Sequence, residues 1–222
     1  MVNAEDFVQK VQAALEPLSN PGQAPAMQKY MKDRFDFLGI KRPARTEATR
    51  PLLRQLQPQE ALPAAQHLWT LTGREYQYVA VDILAKHVKM LSPEDLSAIR
   101  ALIQTHSWWD TVDLLASKVV GGLVRRHPEL KAEMDRWSED PDFWVRRTAV
   151  LHQLSFKKET DQERLFAFAL KNAPDAEFFI RKAIGWALRE HAKTSPEAVR
   201  TFVEAHRAQF SGLTIREAFK HF

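Results

Sequence analysis

Apolar residues recur at three- and four-residue intervals along most of the chain, which is the spacing of one face of an α-helix. Phe7, Val8, Val11, Ala14, Leu15 and Leu18 predict a first helix over 4–18, closed by the Ser19-Asn20-Pro21-Gly22 turn. Met27, Tyr30, Met31, Arg34 and Phe35 continue the spacing into a second helix, with Gly39 as its expected C-cap and Pro43 as the opening residue of the next. That reading leaves Lys41 and Arg42 on a loop. Further helices are predicted over 50–57, over 58–71 with Trp69 in the core, and over 74–88. Pro93 opens a helix that ends before Ser107, and Pro128 opens another that carries Trp137. No stretch alternates polar and apolar residues long enough to make a strand, so the chain reads as all-α.

The stretch Ser107-Trp108-Trp109-Asp110-Thr111-Val112-Asp113 stands apart. Ser107 is a suitable N-cap, and Asp110 favours the positive end of a helix expected from Trp108 to about Arg126. Trp108, Val112, Leu115, Val119 and Leu123 form its buried face. Trp109, Asp113, Ala116 and Val120 form the adjacent stripe, so the Trp109 indole and the Asp113 carboxylate lie one turn apart at the border of the core. On this stretch alone, a solvated or salt-bridged carboxylate explains Asp113 more readily than a catalytic one.

A repeat changes the picture. Trp144-Val145-Arg146-Arg147-Thr148-Ala149 and Phe179-Ile180-Arg181-Lys182-Ala183-Ile184 align at a spacing of 35 residues, and the same step back puts Trp109 in the frame of Trp144. A period of this size in a helical chain predicts stacked helix pairs of the HEAT type, here a single domain over 1–222 with a concave face. In such a stack Arg147 shares its frame with Lys182, Asp113 with Thr148 and Ala183, and Trp186 lies one turn further on. One carboxylate, two indoles and several cations can then converge.

Composition narrows the chemistry. With 45% hydrophobic and 27% charged residues, the 222-residue chain is an ordinary globular one. It has no cysteine, which excludes disulfides, thiolate catalysis and cysteine-ligated metals. None of the eight histidines lies three or four residues from another, and the seven glycines form no phosphate loop, so neither a metal nor a cofactor is expected. The start of the chain carries no basic segment followed by an apolar run, and no uncharged stretch is long enough for a membrane. A cytoplasmic monomer is the expectation. The net charge of +4 suits a polyanion, with Arg125, Arg126, Lys157, Lys158, Arg181, Arg189 and Lys193 adding cations to the C-terminal half.

Cations interrupted by indoles fit a nucleic-acid backbone, since Arg and Lys neutralise phosphates and indole rings pack on sugars or bases. A carboxylate in such a groove repels phosphates and needs a reason. Stabilising positive charge that develops on a substrate is one, and the helix N-terminus and neighbouring cations are expected to keep Asp113 ionised for it.

Phe37-Leu-Gly-Ile-Lys, Glu75-Tyr-Gln, Ser107-Trp-Trp-Asp-Thr-Val-Asp113, Trp144-Val-Arg-Arg147 and Lys182-Ala-Ile-Gly-Trp-Ala-Leu-Arg-Glu190 together resemble the AlkD-type alkylpurine DNA glycosylases, in order, from about residue 24 to residue 221. The resemblance implies a HEAT-like solenoid that holds duplex DNA in a concave basic groove and removes purines alkylated at N3 or N7 without extruding them into a pocket. It implies that Asp113 is the catalytic carboxylate and that Trp109 and Trp186 flank the deoxyribose of the damaged nucleotide. Arg147 matches an arginine near the lesion-strand backbone, and Arg189, Lys182, Lys41 and Arg42 are further expected DNA contacts. The alternative is a non-catalytic HEAT-type scaffold that binds DNA. Three departures from the family pattern stand out: the pair Lys41-Arg42, Ser155 where relatives can carry a basic residue, and an end at Phe222 without a family tail.

Overall fold

The computed structural model describes residues 1–220, and the chain's end at Phe222 lies outside them. Among the described residues every regular element is helical; an isolated bridge between Val2 and Leu56 is the sole extended pairing. Contacts divide the chain into two compact units, Met1–Leu91 and Ser92–Phe222.

In the first unit, α1 (Ala4–Leu15) buries Phe7, Val8, Val11 and Leu15, as the spacing predicts, and its Asn3 N-cap accepts from the Asp6 amide at 2.9 Å. The next helix, α2 (Ala24–Tyr30), stops earlier than predicted, because Lys32 and Asp33 turn the chain with φ of 59° and 55°. Gly39 is therefore no helix cap. It has φ of 83°, and a Cβ there would lie 2.1 Å from the Asn20 carbonyl oxygen. Its loop is fixed by α5 (Arg74–Lys86): the amides of Leu38, Gly39 and Ile40 each donate to the Glu75 carboxylate at 2.9 Å. Three backbone donors meet one buried anion, which satisfies amides that would otherwise be orphaned.

Between these lie α3 (Arg42–Leu53) and α4 (Ala61–Trp69), with Trp69 buried. Lys41 is the N-cap of α3 and Pro43 lies in its first turn, so Arg42 is the first helical residue rather than part of a loop. The separate helix expected over 50–57 is the end of α3, which runs through Pro51.

The second unit opens with α6 (Leu96–Gln104) and α7 (Trp109–Leu114). Ser107 is not the N-cap of α7. Its hydroxyl donates to the Ile103 carbonyl at 2.6 Å, satisfying an acceptor at the end of α6, and extended Trp108 takes the cap position. The helix expected to run on to Arg126 does so with a π-helical turn over Leu115–Val120 before α8 (Gly121–Arg126). The predicted face holds: Val112, Leu115, Val119 and Leu123 are buried with Trp108.

Then follow α9 (Lys131–Trp137), α10 (Phe143–Leu151), α11 (Gln162–Asn172), α12 (Phe178–Ala192), α13 (Pro196–Ala205) and α14 (Gly212–Ala218). Their contacts give two layers. One is the row α7, α10, α12, α14, each packed on the next; α9, α11 and α13 pack behind it. The 35-residue period is thus a stack of helix pairs within this unit.

An aromatic cluster lies under the row. Trp108 meets Phe179 at 5.0 Å and Trp144 at 5.8 Å between ring centroids, and Trp144 meets Phe179 at 4.9 Å. Such pairs add roughly 0.5–1.5 kcal/mol each beyond the area they bury. The cluster also corrects the register: buried Trp144 packs with Trp108, while Trp109, its 35-residue counterpart, is half-buried outside the cluster.

Candidate active site

The row α7, α10, α12, α14 frames a pocket of about 410 Å³ in the second unit. From α7 come Trp109 and Asp113, and from α10 comes Arg147. Lys182, Trp186 and Arg189 project into it from α12 at intervals of four and three residues, one stripe of a single helix face. Six of the predicted residues therefore meet in one place. Lys41 and Arg42 are exposed, belong to the first unit, and are not among the pocket's lining.

Asp113 is the centre of the arrangement. It is 9% exposed, and Arg147, 4% exposed, grips it with both arms of its guanidinium: Nε donates to Oδ1 at 2.7 Å and Nη2 to Oδ2 at 2.8 Å. The remaining arm, Nη1, donates to the Phe179 carbonyl. This planar fork matches a carboxylate edge and holds the Asp113 plane in one orientation. A carboxylate has about four lone-pair directions, so two stay available toward the pocket.

Burial pushes the Asp113 carboxyl above the usual carboxylate range, the Arg147 hydrogen bond and charge pull it back, and Asp110 adds to the rise. Of the helix end and neighbouring cations expected to keep Asp113 ionised, one cation, Arg147, opposes the rise without reversing it, and most of its donor capacity is spent inside the protein.

Three lining residues were not singled out as site residues from sequence. Phe178 is an exposed ring at the start of α12, 54% accessible, with Phe179 beside it. Glu217 on α14 bridges two predicted DNA contacts, its Oε1 taking Lys182 Nζ at 2.7 Å and its Oε2 taking Arg189 Nη1 at 2.8 Å. The Lys182 hydrogen bond is the largest of the effects that hold the Glu217 carboxyl below its ordinary range. No motif flagged Glu217; the nearest signal is the spacing of Ile215, Ala218 and Phe219, which fits a closing helix but does not give its partner.

The DNA alkylation repair enzyme family matches residues 11–222. The chain belongs to that family. A solved structure described as a predicted DNA alkylation repair enzyme from Enterococcus faecalis is 33% identical, with a TM-score of 0.85 over 92% of this chain and 96% of that one. Two others share the fold at 15% identity: AlkD2 from Streptococcus mutans, with a TM-score of 0.66 over 99% of both chains, and smu.31 from Streptococcus mutans UA159, with 0.65 over 97% and 99%. No curated protein matches the chain. Ser155, one of the departures noted from sequence, accepts from Lys118 Nζ at 3.3 Å, so a cation from the neighbouring helix lies beside it. Among the described residues no helix is long and apolar enough to cross a membrane.

Proposed function

We propose that this pocket cleaves the N-glycosidic bond of purines alkylated at N3 or N7 in duplex DNA, with Asp113 as the catalytic carboxylate. The observation that carries the reading is a carboxylate clamped by one guanidinium, in a pocket it shares with two half-buried indoles, while the pocket's other carboxylate, Glu217, is taken up by Lys182 and Arg189.

The chemistry asks for little more. A purine alkylated at N3 or N7 already bears a positive charge, so it takes the bonding electrons and leaves as a neutral base without a general acid. Positive charge then builds on the sugar at C1′ and O4′. The free lone pairs of Asp113 stabilise it and accept a hydrogen bond from the attacking water, whose oxygen bonds to C1′ and whose proton passes through Asp113 to solvent. Trp109 and Trp186 pack against the deoxyribose and exclude bulk water, which strengthens that electrostatic effect. Arg147 orients Asp113, and its remaining guanidinium hydrogens are the ones it can offer a phosphate. Nothing in this scheme needs a pocket for the base itself.

The test is single-turnover release of 7-methylguanine from a defined duplex by the wild type and by Asp113→Asn, with duplex affinity of both measured at one salt concentration. Excision by the wild type, lost in a variant that still binds, supports the glycosylase. A wild type that binds duplex and releases neither 7-methylguanine nor 3-methyladenine leaves the non-catalytic DNA scaffold instead.

A further inference from the structure

Lys182 and Arg189 flank Trp186 on α12, the position from which cations would meet a DNA backbone, yet in the free protein both are already occupied. Glu217 takes both, one on each carboxylate oxygen, and the Arg189 guanidinium also donates to the Glu217 backbone carbonyl at 3.1 Å. The placement is set by the backbone and not by the ion pairs alone. Gly185 lets α14 press onto α12: a Cβ at that position would lie 2.5 Å from the Glu217 Cβ and 2.7 Å from the Thr214 carbonyl oxygen. The carboxylate is thus delivered to the pocket wall by helix packing as well as by its ion pairs.

A carboxylate bridging a lysine and an arginine has the geometry and charge sign of a phosphate oxygen pair. The Lys182 side chain is 35% exposed, so water reaches the lysine end of the clip, where one anion can be exchanged for another. We propose that Glu217 is a built-in stand-in for a DNA backbone phosphate: it occupies Lys182 and Arg189 in the free protein and yields them to a phosphate of the bound duplex. This rests on the reading that the pocket receives the DNA backbone. Its effect is uniform competition against every phosphate, which lowers affinity for undamaged DNA and leaves discrimination to the contacts around Asp113.

The experiment compares duplex affinity of the wild type and Glu217→Gln on undamaged DNA across a salt series. In the wild type the displaced carboxylate takes up a cation, which cancels part of the counterion release that drives binding. The variant is expected to bind more tightly and, since it has no carboxylate to take up a cation, to have a log–log salt slope steeper by about 0.9, or about 3.5-fold more affinity lost between about 50 and 200 mM salt. Lys182→Gln is expected to weaken binding more in the Glu217→Gln background than in the wild type. A measurement on the unmutated protein removes any dependence on how the variant folds: the carboxylate carbon resonance of Glu217 should move toward that of an ordinary exposed glutamate when duplex is added. Unchanged affinity and slope in Glu217→Gln, weaker binding by it, or a Glu217 resonance unmoved by saturating duplex each overturn the proposal and leave Glu217 a structural clip between α12 and α14. A wild type that binds no duplex overturns both this inference and the glycosylase reading, whereas binding without base release overturns only the latter.

Discussion

Two buried carboxylates, one in each unit, do opposite things with the same functional group. Glu75 is 0% exposed and takes three backbone amides, from Leu38, Gly39 and Ile40. Asp113 is nearly as buried, but its partner is one guanidinium that covers one edge and leaves the other facing a pocket. Backbone donors converge from a loop and consume an anion on several sides, which fixes the loop. A planar side-chain fork holds an anion still without using it up, which suits a site. Burial by itself separates neither case; the direction from which the donors come does.

The largest effect that sharpens this contrast is on rate. Asp113→Asn should lower single-turnover excision per folded molecule by about 100- to 1000-fold, the usual loss for one preorganised electrostatic group, and should also cost stability, because it leaves the buried Arg147 guanidinium without its counter-charge. Glu75→Ala should cost stability alone. It strands three buried amides, so chemical denaturation should show a loss of about 4 kcal/mol, with excision falling only as the folded fraction falls. If Glu75→Ala folds normally and loses rate, the division between the two carboxylates fails.

A third buried group tests whether stability and rate separate with pH as well. His152 is wholly buried and its pKa is lowered to about 4, chiefly by desolvation. The unfolded chain takes up that proton below its ordinary value of about 6.5, so stability should decline as pH falls from there toward 4, by up to about 3 kcal/mol, and His152→Gln should flatten the decline. Melting curves across that range read it directly. The smallest effect lies at the Asp113 pair. Because burial raises the Asp113 carboxyl, the acid limb of kcat/KM should stand above the usual carboxylate range, and Arg147→Gln, which removes the opposing partner, should move it further up. An acid limb that shifts down in Arg147→Gln would mean that another group titrates.

The helices were legible because each depends on neighbours three and four residues away. Phe7, Val8, Val11 and Leu15 on α1, or Val112, Leu115, Val119 and Leu123 along the Asp113 helix, could be read as buried faces without any fold in view. The ends were less legible. Ser107 has the chemistry of an N-cap for the helix after it and spends its hydroxyl on the helix before it. Gly39 has the chemistry of a helix C-cap and serves a loop pinned by Glu75 from another helix. In both, a polar group had two local uses, and a distant partner decided between them.

The sequence by itself determined the helical class, the buried stripes, the repeat period, and which residue types could reach one face of α12, since all of these follow from spacing along one chain. Only the tertiary structure decided that Asp113 is held by Arg147, that Trp109 lines the pocket half-buried while Trp144 is buried, and that Glu217 sits on the two cations. Those outcomes depend on how far apart neighbouring helices lie and on a single Cβ missing at Gly185. A charge has no fixed meaning until the group opposite it is in place.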